Sequence, residues 1–362
     1  MKNILKVCAA LFVVAVSAAV IAIGITNGKY SDKVSDRVSK YEKKIEEIEK
    51  ALENEKKKDE DQGDQENVLI GDEYQIKDTS KISEAYISGK SDDLTEQEKE
   101  TLKLASDILK KVTKDGMSDY EKEKAIYEWI IKNVPHANGG TAEEVSTPLG
   151  VMKGKKAVCV GYATTFRLLT NMIGLECKVM HDKGNIHSWD ICKIEDKWYI
   201  TDCYADSEYG VMYSSFNMTD AQAKTDSLHD WDATLFPKAD GTKYNYVIMN
   251  AKKLKDPIGW IDSAGKILKK SGSESEIHTY VVDTTDEKNT YTANYVYKGM
   301  DKRLYNNFSL NKFKNGDKLY IILGKPKDAE ENNEPEEPTA DEKKYDKLLN
   351  ENFGELPEWY SE

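Results

Sequence analysis

KAVCVGYATTF, residues 156–166, sets a cysteine at the head of a helical pattern. From Val160 onward, Ala163, Phe166, Leu169 and Ile173 recur at spacings of three and four, one face of a helix, and Gly174 is placed to end it. Cys159 therefore falls at a helix N-terminus. There the unpaired N–H groups and the positive end of the dipole favour a thiolate, the form of the side chain that attacks a carbonyl, and the same N–H groups can hold an oxyanion. Gly154 and the lysines of MKGKKAVC add a flexible, basic approach. Taken alone, such a cysteine is as readily an inert buried thiol, the usual fate of the residue type.

Two further stretches, NIHSWDI (185–191) and KWYITDC (197–203), bring a base and a carboxylate into the reading. HSWDICKI and KWYITDCY both alternate, and Glu195–Asp196 between them suits a tight turn, so they are expected to form an antiparallel hairpin. If Ile194 pairs with Lys197, His187 falls opposite Tyr204 and Trp189 opposite Asp202. His187 and Asp202 then share one face as diagonal neighbours. Cysteine, histidine and aspartate, in that order, suit a thiol acyl-transfer triad, in which a base ionises the nucleophile and a third group orients the base.

The blocks VCVGYA, HSWD and WYITD resemble the signature blocks of the transglutaminase-like superfamily, whose bacterial members commonly read G-x-C-x-G-Y-A, H-A-W-N and W-Y-x-x-D-P-T. SDYEKEKAIYEWIIKNV ahead of the cysteine, and FNMTDAQAKTDSLHDWD with GTKYNY after it, extend the resemblance to about residues 78–249. By that resemblance Cys159 is the nucleophile, His187 the general base and acid, and Asp202 the group that orients the imidazole. The implied fold is α+β with a papain-like core, a helix carrying the cysteine packed on an antiparallel sheet carrying the other two. Ala157 stands where glycine is common, Asp190 where asparagine is frequent and Cys203 where proline often follows the aspartate. No glutamine lies close upstream of Cys159 to complete an oxyanion hole. Relatives of this architecture include protein cross-linkers, peptidases, amidases and members that have lost activity. The expected function is that of a cell-surface thiol acyltransferase or hydrolase acting on peptide or glutamine-type amide bonds through an acyl-enzyme. The alternative is a non-catalytic surface binding or scaffold module that retains the fold.

Around this core the chain divides into five segments. Residues 1–28 contain a run of nineteen uncharged residues, Val7 to Ile25, long enough to span a bilayer and without a convincing cleavage point, read as a transmembrane signal anchor. A large domain behind so short a tail is expected outside the cytoplasm. Residues 29–67 begin with a heptad-like seam, Val34, Val38, Tyr41, Ile45, Ile48 and Leu52, read equally as a dimeric stalk or a solvated single helix. They end in a charged tether, ENEKKKDEDQGDQEN. Residues 68–250 form the catalytic domain, with helix-opening capping boxes at Thr95–Glu98 and Ser118–Glu121 and with Trp129 and Trp189 as core aromatics. Residues 251–325 read as a small α+β region, with a helix at IDSAGKILKKSG and strands at EIHTYVVDTT, TANYVYKGM and KLYIILGK. Residues 326–362 are an acidic linker and a tail with a helical pattern.

The partners expected are thus a protein or peptide substrate, with a cell-wall peptide among the candidates, and the membrane. With 52 basic against 65 acidic residues the net charge is −13, which argues against nucleic acid. Neither C-x-x-C nor H-x-x-x-H occurs, and no phosphate or dinucleotide fingerprint is present, so neither a metal nor a cofactor is expected. Cys192 and Cys203 fall too far apart along the hairpin for a disulfide. His136, in NVPHANGG, reads as a loop histidine near the cleft.

Overall fold

A computed structural model of the chain describes residues 68–254 apart from 209, residues 275–285 and 309–325, and single helical positions at 347 and 351. The anchor, stalk and tether expected over residues 1–67 lie outside the described residues, as do the short helix and the TANYVYKGM strand of the accessory region and most of the C-terminal tail. Among the described residues no helix is long and apolar enough to cross a membrane.

A small antiparallel pair, β1 (Leu69–Ile70) and β2 (Tyr74–Gln75), precedes a helical layer that begins with α1 (Ser80–Ser88). Capping boxes then set the next starts. In α2 (Glu96–Val112) the Thr95 hydroxyl accepts the Glu98 N–H while the Glu98 carboxylate accepts the Thr95 N–H; α3 (Asp119–Asn133) opens identically on Ser118 and Glu121. A third box, Thr141 with Glu144, opens the short α4 (Ala142–Ser146), which leads into α5 (Pro148–Gly154). Each box satisfies donors that helix geometry leaves orphaned.

The central element is α6 (Cys159–Met172), which the sequence located to within a residue at each end. Its spacing suggested a single apolar face, yet the helix is buried on every side from Cys159 to Thr170. Two of the threonines there are satisfied by their own helix, whereas the buried Thr165 hydroxyl has no hydrogen-bond partner among the described residues. The hydroxyls of Thr164 and Thr170 donate to the carbonyls of Val160 and Phe166, each at 2.8 Å. Arg167 sends its guanidinium to the Lys77 carbonyl, fastening the segment between β2 and α1 to α6. Against α6 pack Ile108 and Leu109 of α2, and Ile126, Tyr127 and Ile130 of α3. Gly161 lets α4 approach closely, since a Cβ there would stand 2.1 Å from the Val145 carbonyl oxygen.

On its other side α6 meets a three-stranded antiparallel sheet of order β3-β4-β5, formed by β3 (Glu176–His181), β4 (Ser188–Ile194) and β5 (Lys197–Thr201). The expected hairpin is present in the expected register. Ile194 pairs with Lys197 and Cys192 with Tyr199, with Glu195 in the turn at φ 55°. The ladder nevertheless ends at Asp190–Thr201, so the anticipated pairings of Trp189 with Asp202 and His187 with Tyr204 do not form. The chain leaves the sheet because the Asp202 N–H donates to the Ser215 carbonyl while its carboxylate accepts the Ala205 N–H at 2.9 Å, starting α7 (Cys203–Glu208). Both faces of β4 are covered. Cys177 and Cys192 face the helices; Met180, Trp189, Ile191 and Ile200 join Trp231 and Phe236 in a second core. Cys177 lies directly opposite Cys192, and all four described cysteines are free and buried.

Between these layers Glu123 of α3 is fully buried, accepting from the Asn217 side-chain amide at 2.8 Å. Burial pushes its carboxyl up to about 8 against the hydrogen bond from Asn217. A folded-state pKa raised this far favours the protonated acid. Its contribution to stability is full below the ordinary carboxylate range and is lost as pH rises through 8. Glu123→Gln, which keeps the shape without a titrating proton, is expected to remove a loss of up to about 1 kcal/mol per pH unit. Urea midpoints of both proteins from pH 5 to pH 8 check this: the two curves should diverge toward pH 8, with the variant flatter.

After α7 come two short helices, α8 (Asp220–Ala223) and α9 (Tyr246–Asn250), and then a separate four-stranded sheet. Its order is β6-β7-β9-β8, from β6 (Lys252–Lys253), β7 (Glu276–Asp283), β8 (Ser309–Asn315) and β9 (Lys318–Lys325). EIHTYVVDTT and KLYIILGK form strands as read, and β8 was not anticipated. The accessory region thus builds its own sheet, seated on α9 through Val247, Phe313, Tyr320 and Ile322.

Candidate active site

Cys159 is the first residue of α6, with Val158 as N-cap in extended conformation and no side chain occupying the cap. The Val158 N–H is held by the Val145 carbonyl at 3.0 Å, which fixes where the helix starts. Cys159 is 8% exposed, in a cluster with Ile70, Ile76 and Val179 against which Tyr74 and Tyr204 pack.

His187 sits one residue before β4. Its backbone is positioned by Asp182, whose carboxylate accepts the N–H groups of Gly184, Ile186 and His187, each at 2.7 Å, closing the DKGNI turn. Trp189 stacks on the ring at 5.5 Å between centroids, and Tyr204 covers it at 5.2 Å. Nε2 lies 2.7 Å from Asp202 Oδ2. An ionised carboxylate can only accept, so Nε2 carries a proton and Nδ1 is the nitrogen left for Cys159. Burial disfavours charge on this ring. The Asp202 carboxylate and a hydrogen bond with the Cys159 thiol outweigh burial and hold it up at about 10. Asp202, itself fully buried, is held well below the usual carboxylate range because His187 and His229 together outweigh its own desolvation.

The structure therefore brings Cys159, His187 and Asp202 together, although not by the route the sequence suggested. Contact comes from Asp202 capping α7 just beyond the ladder, not from diagonal neighbours within it. His136 is half-buried and meets Tyr204 edge-on at 5.0 Å, so the loop histidine does approach the site. Sequence reasoning missed Asp182, Tyr204 and His229. For Asp182 a signal existed in Asp-Lys-Gly-Asn ahead of the histidine. His229, 27 residues beyond Asp202, lies in the FNMTDAQAKTDSLHDWD stretch of the resemblance, which by itself assigns its histidine no role. Among the described residues His187, Asp202 and His229 are the one group whose ligand atoms lie close enough to hold a metal ion, within 4.8 Å of one another. Both imidazoles here address a single carboxylate oxygen at hydrogen-bonding distance, an arrangement that protons satisfy.

The sequence profile of the transglutaminase-like superfamily matches residues 106–203, from α2 through Cys203. The chain contains a transglutaminase-like domain. Human Kyphoscoliosis peptidase is 23% identical over 116 residues, covering 27% of this chain and 17% of the relative. The mouse Kyphoscoliosis peptidase is 24% identical with the same coverage. The chain thus spans less than a fifth of the length of these curated relatives, 17%. A solved TGase crystal structure shares 20% identity over 33% of this chain and 36% of its own, with a TM-score of 0.27.

Proposed function

We propose that the transglutaminase-like domain is a thiol enzyme in which Cys159 attacks a peptide or glutamine-type amide. The observation that carries this reading is the buried His187–Asp202 pair, joined at 2.7 Å, with the Cys159 thiol at the start of α6 close enough to His187 to help hold its ring protonated. His187 takes the thiol proton, the thiolate adds to the carbonyl carbon, and the oxyanion forms beside the N–H groups at the start of α6. Collapse expels ammonia or an amine carrying the proton from His187, leaving a thioester on Cys159. Water or an amine, deprotonated by the same ring, then attacks the thioester and restores the thiol. Asp202 holds the ring in the tautomer that faces the thiol throughout. The peptidase named among the relatives supports hydrolysis as one fate of the acyl group; the superfamily match supports transfer as the other. The uncharged run from Val7 to Ile25 supports placing this chemistry at a membrane, outside the cytoplasm, toward peptide or cell-wall peptide substrates.

A glutamine-peptide library incubated with the protein, with and without a primary amine, tests the reading by mass spectrometry. Deamidated, cleaved or amine-linked peptides are expected, all absent with Cys159→Ala. No product in any arm, together with no acyl adduct on Cys159 from an activated ester, would leave the scaffold module as the better account.

A further inference from the structure

His229 lies outside the matched residues 106–203, and no step above uses it. The residue is 3% exposed, its ring edge-on against Trp189 at 4.7 Å between centroids. Nε2 stands 2.9 Å from Asp202 Oδ2, the oxygen that His187 also meets; Nδ1 stands 3.1 Å from the Ala223 carbonyl oxygen. Neither partner has a proton to give. A neutral imidazole carries one N–H, so it would turn a bare nitrogen lone pair toward an oxygen in a site that water does not reach. Only the doubly protonated ring makes both contacts.

The charges around it fit that form. His187 faces Asp202, Cys159 and the Tyr204 ring; Asp202 is neighboured by His187, His229, Asp206 and Cys203; His229 faces Asp202 and, at 5.9 Å between ring centroids, His187. In the ion pair that acyl transfer requires, with Cys159 as thiolate, His187 as imidazolium and Asp202 as carboxylate, an imidazolium at His229 brings these four groups to zero net charge; burial pushes the neighbouring Asp206 up to about 7 and the Cys203 thiol well above its ordinary value. Without it the same set carries one uncompensated negative charge away from water, which is costly.

We infer that His229 is a positioning residue, held as an imidazolium on Asp202, that shares Oδ2 with His187 and so limits how tightly Asp202 retains the His187 proton. The consequence rests on the acyl-transfer reading: His187 must hold a proton to stabilise the thiolate and then surrender it to the leaving amine. An aspartate serving His187 alone would favour the first step at the expense of the second. A second cation about 6 Å away lowers the ring's hold on its proton by about one to two pH units at an interior dielectric near 20.

Nitrogen-15 histidine labelling tests this directly, because the chain has five histidines, which single substitutions assign. At pH 7 both His229 nitrogens are expected to show protonated shifts. In His229→Gln, whose amide still donates to Asp202 but carries no charge, the His187 deprotonation midpoint is expected to rise by about one pH unit or more. The alkaline limb of turnover should move with it. A bare nitrogen on His229 in the unmodified protein, or an unchanged His187 midpoint in His229→Gln, would overturn the inference. The unmodified-protein shifts decide the matter even if the variant fails to fold. Failure of the acyl-transfer reading would instead appear as absent acylation of Cys159, whatever the nitrogen shifts show.

Discussion

His187→Ala is expected to slow iodoacetamide labelling of Cys159 by roughly two orders of magnitude at pH 6, relative to the unaltered protein. At that pH an ordinary thiol is ionised to well under about 1%, and alkylation follows the ionised fraction. Beside an imidazolium the thiolate is favoured, and His187 is held protonated up to about 10 by Asp202 and the Cys159 hydrogen bond despite its burial. The advantage therefore persists through neutral pH and narrows at alkaline pH, where any thiol ionises. Lower intrinsic nucleophilicity of a stabilised thiolate takes back part of the gain, which keeps the expected factor near a hundred instead of several hundred. Second-order rate constants between pH 5 and pH 9, with labelling located by mass spectrometry, measure the effect. Cys177, Cys192 and Cys203 provide internal controls, because all three are buried and burial pushes the Cys192 and Cys203 thiols up. Equal rates in the two proteins, no faster than a model thiol, would remove the basis for calling Cys159 activated.

Gly161→Ala is expected to destabilise the protein by more than about 3 kcal/mol, at the upper end of the range for overpacking. The added Cβ would stand 2.1 Å from the Val145 carbonyl oxygen and 2.9 Å from a Val151 methyl, and neither neighbour can yield cheaply. Val145 belongs to α4, and its carbonyl also accepts the Val158 N–H that sets the start of α6. Making room thus means either breaking that bond or moving the helix that carries Cys159. Urea unfolding measures the cost, and alkylation kinetics of the surviving folded fraction report whether the thiol has left His187. Gly154→Ala is the natural control, since nothing lies within 4 Å of a Cβ there. A small and equal effect at both positions would show that the close approach of α4 and α6 is not enforced by the glycine.

Several of these features were legible because they are local. The helix start at Cys159, the Thr95 and Ser118 capping boxes and the Ile194–Lys197 register each depend on residues a few positions apart, where spacing and turn chemistry decide the outcome. Local signals also misled in a consistent way. The apolar period of α6 announces one buried face, because periodicity registers side-chain polarity and cannot register that the Thr164 and Thr170 hydroxyls are satisfied by their own helix. The ladder was extrapolated through Asp202 because nothing adjacent announces a carbonyl from Ser215, and it is that bond which takes the strand out of the sheet.

The amino-acid order by itself determined which residue types could do the chemistry, a thiol at a helix start with a histidine and an aspartate on a hairpin, because these follow from backbone preferences over short stretches. Only the tertiary structure decided how the three meet and what surrounds them. Asp202 reaches His187 by capping α7, Asp182 fixes the His187 backbone from the preceding turn, and His229 arrives from a segment 27 residues further on to share the same carboxylate oxygen. Those contacts arise where separate elements converge in a buried site. There the cost of leaving a buried carboxylate or imidazole unpaired, which is negligible along an exposed chain, favours the arrangement.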